Sequence, residues 1–159
     1  MIKQADIIAY RGNYSLVSML IRKISKSNYS HVGISVGNGL VVESDGYVGK
    51  VAYRSLNDYQ GTIDIYSCEQ LTDEQRQRIC DYAISKIGDK YSYFLTLWIG
   101  VKYLFHILLP YYDTQNSENC SELVNLVYLN ATGLRLCADK WPTPDEVVHS
   151  EFLTKSGEY

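Results

Sequence analysis

No CxxC pair and no Cys/His cluster at metal-ligand spacing occurs in this 159-residue chain, whose four cysteines, Cys68, Cys80, Cys120 and Cys137, stand far apart. That excludes the usual zinc patterns and gives no disulfide framework, so neither a metal nor any other cofactor is expected. Charge of one sign is also scarce: the formal net charge is −3. A chain so balanced has no electrostatic case for nucleic acid or an anionic membrane. After Met1, Ile2-Lys3-Gln4-Ala5-Asp6 carries no apolar core of a signal peptide, and a cytoplasmic location is the expectation. Repeats, low-complexity tracts and linkers are missing too, so residues 1–159 read as one domain.

What is present centres on Asn119-Cys120-Ser121-Glu122-Leu123-Val124. Leu123, Val124, Leu126, Val127 and Leu129 recur at helical spacing. Asn119 suits an N-cap, Glu122 the first turn, and Gly133 the end of the helix. Cys120 therefore sits at the first helical position, among unpaired backbone N–H groups and at the positive end of the helix dipole. That setting favours the thiolate, which is the nucleophilic form.

Upstream, residues 5–10 predict a short strand and residues 16–24 a helix. His31 to Val36 alternates, with Val32, Ile34 and Val36 facing the core. Gly37-Asn38-Gly39 signals a hairpin, and residues 40–44 return. With a three-residue loop, Ile34 faces Val42 and Gly33 faces Glu43. His31 and Glu43 then share the non-core face as diagonal neighbours, with only Gly33 between them. A two-residue loop would put the pair on opposite faces. Residues 48–53 and 62–66 read as further strands around a polar segment, 54–60. Thr72-Asp73-Glu74-Gln75 opens a helix to about residue 87 with Gly88 at its end, and Thr143-Pro144 opens another.

A cysteine at a helix start, a histidine opening a strand and a carboxylate on the next strand are the parts of a thiol acyl-transfer site. Asp6-Ile7-Ile8, Tyr29-Ser30-His31-Val32-Gly33-Ile34, Val42-Glu43, Gly88-x-x-Tyr91, the Cys120 motif and Thr143-Pro144 follow one another as in circularly permuted NlpC-type papain-fold hydrolases. The chain resembles their YiiX-like branch over about residues 5–153. The resemblance implies an α+β fold, an antiparallel sheet with the catalytic helix packed against it. It implies Cys120 as nucleophile, His31 as base, Glu43 as the group orienting the imidazole, and Tyr91 near the nucleophile as a substrate-binding residue. Ala5 stands where those proteins usually have glycine. Asn119 and Glu122 replace the aspartate and glycine that flank the cysteine in unpermuted peptidases, and the stretch after Tyr91 is longer.

That stretch, a hydrophobic insertion at about residues 92–118, carries Phe94, Leu97, Trp98, Val101, Leu104, Phe105 and Leu108 on one helical face. A membrane span would separate Tyr91 from Cys120, so a helix lying on an apolar surface is expected, either the protein's own core or a cleft wall that takes an acyl chain. The expected activity is hydrolysis of an amide, in a peptide or N-acyl substrate, through an acyl-enzyme on Cys120. The alternatives are a lipid acyltransferase or lipid amidase using the same thiol, with peripheral membrane contact, and a non-catalytic binding domain.

Overall fold

In a computed structural model, the described residues are 2–12, 27–93, 101 and 117–159. The helix expected over 16–24 and most of the insertion at 92–118, with the acyl-chain reading that rests on it, lie outside them. Along the described chain run β1 (Ile7–Tyr10), β2 (His31–Gly37), β3 (Leu40–Asp45), β4 (Lys50–Ser55), a 3-10 turn (Leu56–Asp58) and β5 (Ile63–Ser67). They are followed by α1 (Asp73–Ser85), β6 (Lys90–Tyr91), β7 (Ser117–Glu118), α2 (Cys120–Thr132), α3 (Pro144–Val148) and β8 (Thr154–Glu158).

All eight strands form one sheet in the order β7-β6-β4-β3-β2-β1-β5-β8. Its pairs are antiparallel except β6 with β7, which run parallel. The short pair β6–β7 and strand β8 were not expected from the sequence, because two residues carry no periodicity and Thr154–Glu158 is mostly polar and exposed.

One face of the sheet packs against the helices. Val32, Ile34 and Val42 there meet Leu123, Val124 and Val127 of α2 and Ile79 and Ala83 of α1. The opposite face is not simply solvated. Ile8, Tyr10, Val41, Ile63 and Ile65 form a second, smaller cluster under Leu56 and Tyr59. Residues 54–60, expected to be a polar connection, therefore supply the lid of that cluster: β4 runs to Ser55, and the 3-10 turn follows, capped by the Ser55 side chain.

The β2–β3 turn corrects the expected three-residue loop. Gly37 pairs directly with Leu40, which leaves Asn38 and Gly39 as a two-residue turn, with φ of 53° and 72°. Positive φ at both positions is what the favoured hairpin turn requires, and Asn-Gly is its commonest sequence. The register slips between Ser35 and Gly37, so Val36 is bulged, and Ile34 still faces Val42. A bulge inserts one residue opposite a pair and so resets side-chain alternation. It cancels the inversion that the two-residue turn alone would cause.

The helix signals were legible. Thr72 and Thr143 both close capping boxes, and Asn119 caps α2 by accepting from the Glu122 N–H at 2.8 Å. Gly133 ends α2 in the left-handed region, at φ 79°.

Ala5 is the backbone's costly position. Its φ is 62°, it is fully buried, its N–H donates to Ser35 O at 2.8 Å, and its carbonyl accepts from the Tyr128 hydroxyl. An L residue pays about 1 kcal/mol or more to sit in that region, while glycine adds about 0.4–1 kcal/mol of freedom to the unfolded chain. In urea unfolding, Ala5→Gly is expected to be neutral within about 1 kcal/mol. Ala5→Val, β-branched at positive φ in a closed site, is expected to cost upwards of about 2 kcal/mol. Equal losses for the two variants would mean that φ does not govern the position.

Candidate active site

The segment ahead of β2 is pinned before the strand begins. The Tyr29 hydroxyl donates to Asp64 at 2.5 Å and shares a 2.8 Å bond with the Tyr66 hydroxyl. Burial by itself would raise Asp64, but bonds from Arg11, Lys155 and Tyr29 hold its carboxyl well below the usual range. Ser30 donates its N–H to Tyr10 O at 3.0 Å and its hydroxyl to Gly12 O at 2.6 Å. His31 then opens β2 with its side chain 13% exposed.

Across the hairpin, Glu43 is 1% exposed, and its Oε2 lies 2.9 Å from His31 Nε2. Gly33 makes the approach possible. A Cβ there would come within 3.2 Å of Glu43 Cβ and 2.6 Å of Val41 Cγ1. The shared face inferred from the sequence is therefore present, but it is the face of the second apolar cluster, and Glu43 is buried within it.

Cys120 begins α2 beside His31, close enough that each group shifts the other's titration. With Nε2 turned to Glu43, the other ring nitrogen, Nδ1, is the one left for the sulfur. The Ser121 hydroxyl shares a 3.8 Å bond with the sulfur, and the Val32 N–H lies near enough to favour its charged form. The start of α2 is held beside β3 by the Ser44 hydroxyl, which donates to Glu118 O at 2.6 Å. Thus the residue after Glu43 anchors the residue two before Cys120.

Burial would raise the Cys120 thiol, yet the His31 cation, with Val32 and Ser121, brings it below its ordinary value. Burial would likewise lower His31, but Glu43 and the thiolate raise it well above the usual imidazole range. Glu43, which burial would push up, is held down at about 2 by His31, Tyr59 and Arg54. All three shifts run toward the charged forms: thiolate, imidazolium and carboxylate. None of the other cysteines shares this setting: all four are free, and burial pushes Cys80 and Cys137 upward.

Tyr91 lies on β6, paired with Glu118, at the end of the sheet from which the chain enters α2. Its ring packs edge-on to Tyr93, with centroids 4.9 Å apart, and against Gly46. Sequence reasoning missed Arg54 and Tyr59, both on Glu43. Arg54 was assigned to a polar connection, and only the β3–β4 register, Val41 opposite Arg54, brings it near the carboxylate. Among the described residues, no group of three or more His, Cys, Asp or Glu side chains could hold a metal ion, and no helix is long and apolar enough to cross a membrane.

A mixed sheet with the cysteine helix packed on it, and the histidine strand earlier in the chain than that helix, is a permuted papain-like arrangement. Residues 2–147 match the family of permuted papain-like amidases, YaeF/YiiX, C92. The chain belongs to that family of cysteine amidases and peptidases. Its fold is similar to that of a crystal structure described as the metalloprotein YiiX from Escherichia coli O157:H7. The TM-score is 0.72 at 21% identity, over 99% of this chain and 98% of that one. Comparison with curated proteins gave no match.

Proposed function

We propose that this amidase cleaves a peptide or N-acyl amide through a thioester on Cys120, with His31 as proton carrier and Glu43 as the group that orients it. The observation that carries the reading is the 2.9 Å His31–Glu43 bond with Cys120 beside the same imidazole at the start of α2, all three groups being shifted toward their charged forms. The Cys120 thiolate attacks the carbonyl carbon, and negative charge moves to its oxygen. The Cys120 N–H, at the start of α2, is suited to receive that charge. As the C–N bond breaks, the His31 imidazolium gives its proton to the leaving amine. Neutral His31 then takes a proton from water. The hydroxide oxygen bonds to the thioester carbon, the acid leaves, and thiolate and imidazolium are restored. Glu43 holds the ring and balances its charge. Tyr91, beside the strand that leads into Cys120, is suited to contact the acyl or leaving group.

A panel of N-acyl and aminoacyl p-nitroanilides tests this. Release of p-nitroaniline should vanish in Cys120→Ala, and mass spectrometry of quenched wild-type reactions should find the acyl group on Cys120. Undiminished release in Cys120→Ala would end the proposal. Glu43→Gln should remain folded and lose roughly 100- to 10,000-fold in kcat, because a neutral amide holds the imidazole less well and does not offset its charge. A kcat equal to wild type would remove Glu43 from the role.

A further inference from the structure

Glu43 is a carboxylate buried in an apolar cluster and close to a second anion, the thiolate of Cys120. Taken alone, that is an unfavourable place for it. Burial penalises its charge, and its field opposes the very thiolate that the site needs. The groups around it answer both problems. From β4, Arg54 Nη1 lies 3.2 Å from Oε1 and 3.5 Å from Asp45 Oδ2. From the segment after the 3-10 turn, the Tyr59 hydroxyl donates to Oε2, the same oxygen that receives His31. The Arg54 guanidinium also lies over the Tyr59 ring, 4.8 Å from its centroid, so the two partners brace each other. Tyr10 of β1 closes the group, with its ring 5.5 Å from that of Tyr59.

We propose that Tyr59 and Arg54 are positioning residues of the site. Tyr59 fixes the carboxylate oxygen on which His31 turns, and Arg54 supplies the second cation that, with the imidazolium, offsets the thiolate and the Glu43 and Asp45 carboxylates. This rests on the thiolate–imidazolium reading above. The charged and titratable groups facing Glu43 are His31 on β2, Asp45 on β3, Arg54 on β4, Tyr59 beyond the turn, Tyr10 on β1 and Cys120 at the start of α2. Removing Arg54 makes the site more negative, which makes the thiolate easier to protonate. Removing the Tyr59 hydroxyl takes a donor from Glu43 and makes that carboxylate easier to protonate, which withdraws support from the imidazolium. The first change moves the acid limb, where the thiolate takes a proton, to higher pH; the second moves the alkaline limb, where the imidazolium gives one up, to lower pH.

The test is the pH profile of Cys120 alkylation by iodoacetamide, located by mass spectrometry, which needs no substrate. Tyr59→Phe keeps the ring under Arg54, and Arg54→Met keeps the stem. Arg54→Met is expected to move the acid limb upward by about one pH unit, with Arg54→Lys restoring part of the shift, and Tyr59→Phe to move the alkaline end of the flat interval downward by about one unit. Glu43→Gln and His31→Ala run alongside, and melting temperatures identify any variant that has lost its fold. A folded Tyr59→Phe and a folded Arg54→Met with wild-type profiles at both ends of the interval, beside a displaced profile in Glu43→Gln, overturn the positioning roles while the site reading stands. Unchanged limbs in all variants, His31→Ala included, overturn the site reading itself. Should Arg54→Met unfold, Tyr59→Phe alone decides: it removes one hydroxyl and leaves the packing in place.

Discussion

In His31→Ala, alkylation of Cys120 is expected to lose its flat response to pH. A thiol is reactive only as the thiolate, so wherever it is mostly protonated its rate climbs about tenfold per pH unit. In the wild-type protein the Cys120 thiol is lowered by the His31 cation, against burial, which raises it. His31 in turn is raised by Glu43 and the thiolate, against burial, which lowers it. A lowered thiol is ionised above its own value and a raised imidazole is charged below its own, so the ion pair fills the interval between them. Within that interval the wild-type rate should barely change. Without the imidazole, Cys120 keeps the Val32 and Ser121 donors and the helix start, but burial is no longer offset by a cation. The variant should then follow the steep line across the same interval, falling a further tenfold behind at each unit of acidification. The intrinsic nucleophilicity of a low-pKa thiolate is smaller, which scales the wild-type curve down without altering its slope. The slope is the readout. Parallel profiles for wild type and variant would mean that Cys120 draws its reactivity from somewhere other than His31.

How far the sequence disclosed this site depended on how local each feature was. The start of α2 could be read because its determinants lie within a few residues: the Asn119 cap, the apolar spacing after Cys120 and Gly133 at the end. The His31–Glu43 pairing could be read through a hairpin only twelve residues across, yet the expected reason for it was incomplete. A two-residue Asn38-Gly39 turn and a bulge at Val36 together give the register assigned to a three-residue loop. Two irregularities that cancel leave no trace in an alternating pattern. Arg54 and Tyr59 escaped because their approach to Glu43 depends on the β3–β4 register and on a 3-10 turn folding back over the sheet, and neither has a periodic signature. The β6–β7 pair escaped for the same reason. It joins segments far apart in sequence, and it is what sets Tyr91 beside the strand leading into Cys120.

Gly33→Ala is the single-methyl change expected to do most damage. Gly33 is not needed for its backbone angle, since its φ lies outside the region that favours glycine. It is needed for space. The added Cβ would stand 2.6 Å from Val41 Cγ1, 3.2 Å from Glu43 Cβ and 3.2 Å from Val42 O. Val41 is fully buried in the second cluster and Glu43 is tied to His31, Arg54 and Tyr59, so neither can turn into solvent. The strain must be relieved by moving β2 from β3, which costs about 1–3 kcal/mol, as overpacking usually does. For a chain of this length that is a fall in melting temperature of roughly 2–10 °C. The effect on turnover should be larger than the effect on stability. Separating the strands lengthens the 2.9 Å His31–Glu43 bond, and a displacement of about 1 Å in a catalytic group costs on the order of 100-fold. Val41→Ala added to Gly33→Ala removes the nearest clash. The pair should therefore lose less stability than the sum of the single changes, a coupling that residues in contact show and distant ones do not. Additive losses, or wild-type turnover in a stable Gly33→Ala, would show that the hairpin accommodates the methyl group and that the bare strand position is not what lets Glu43 reach His31.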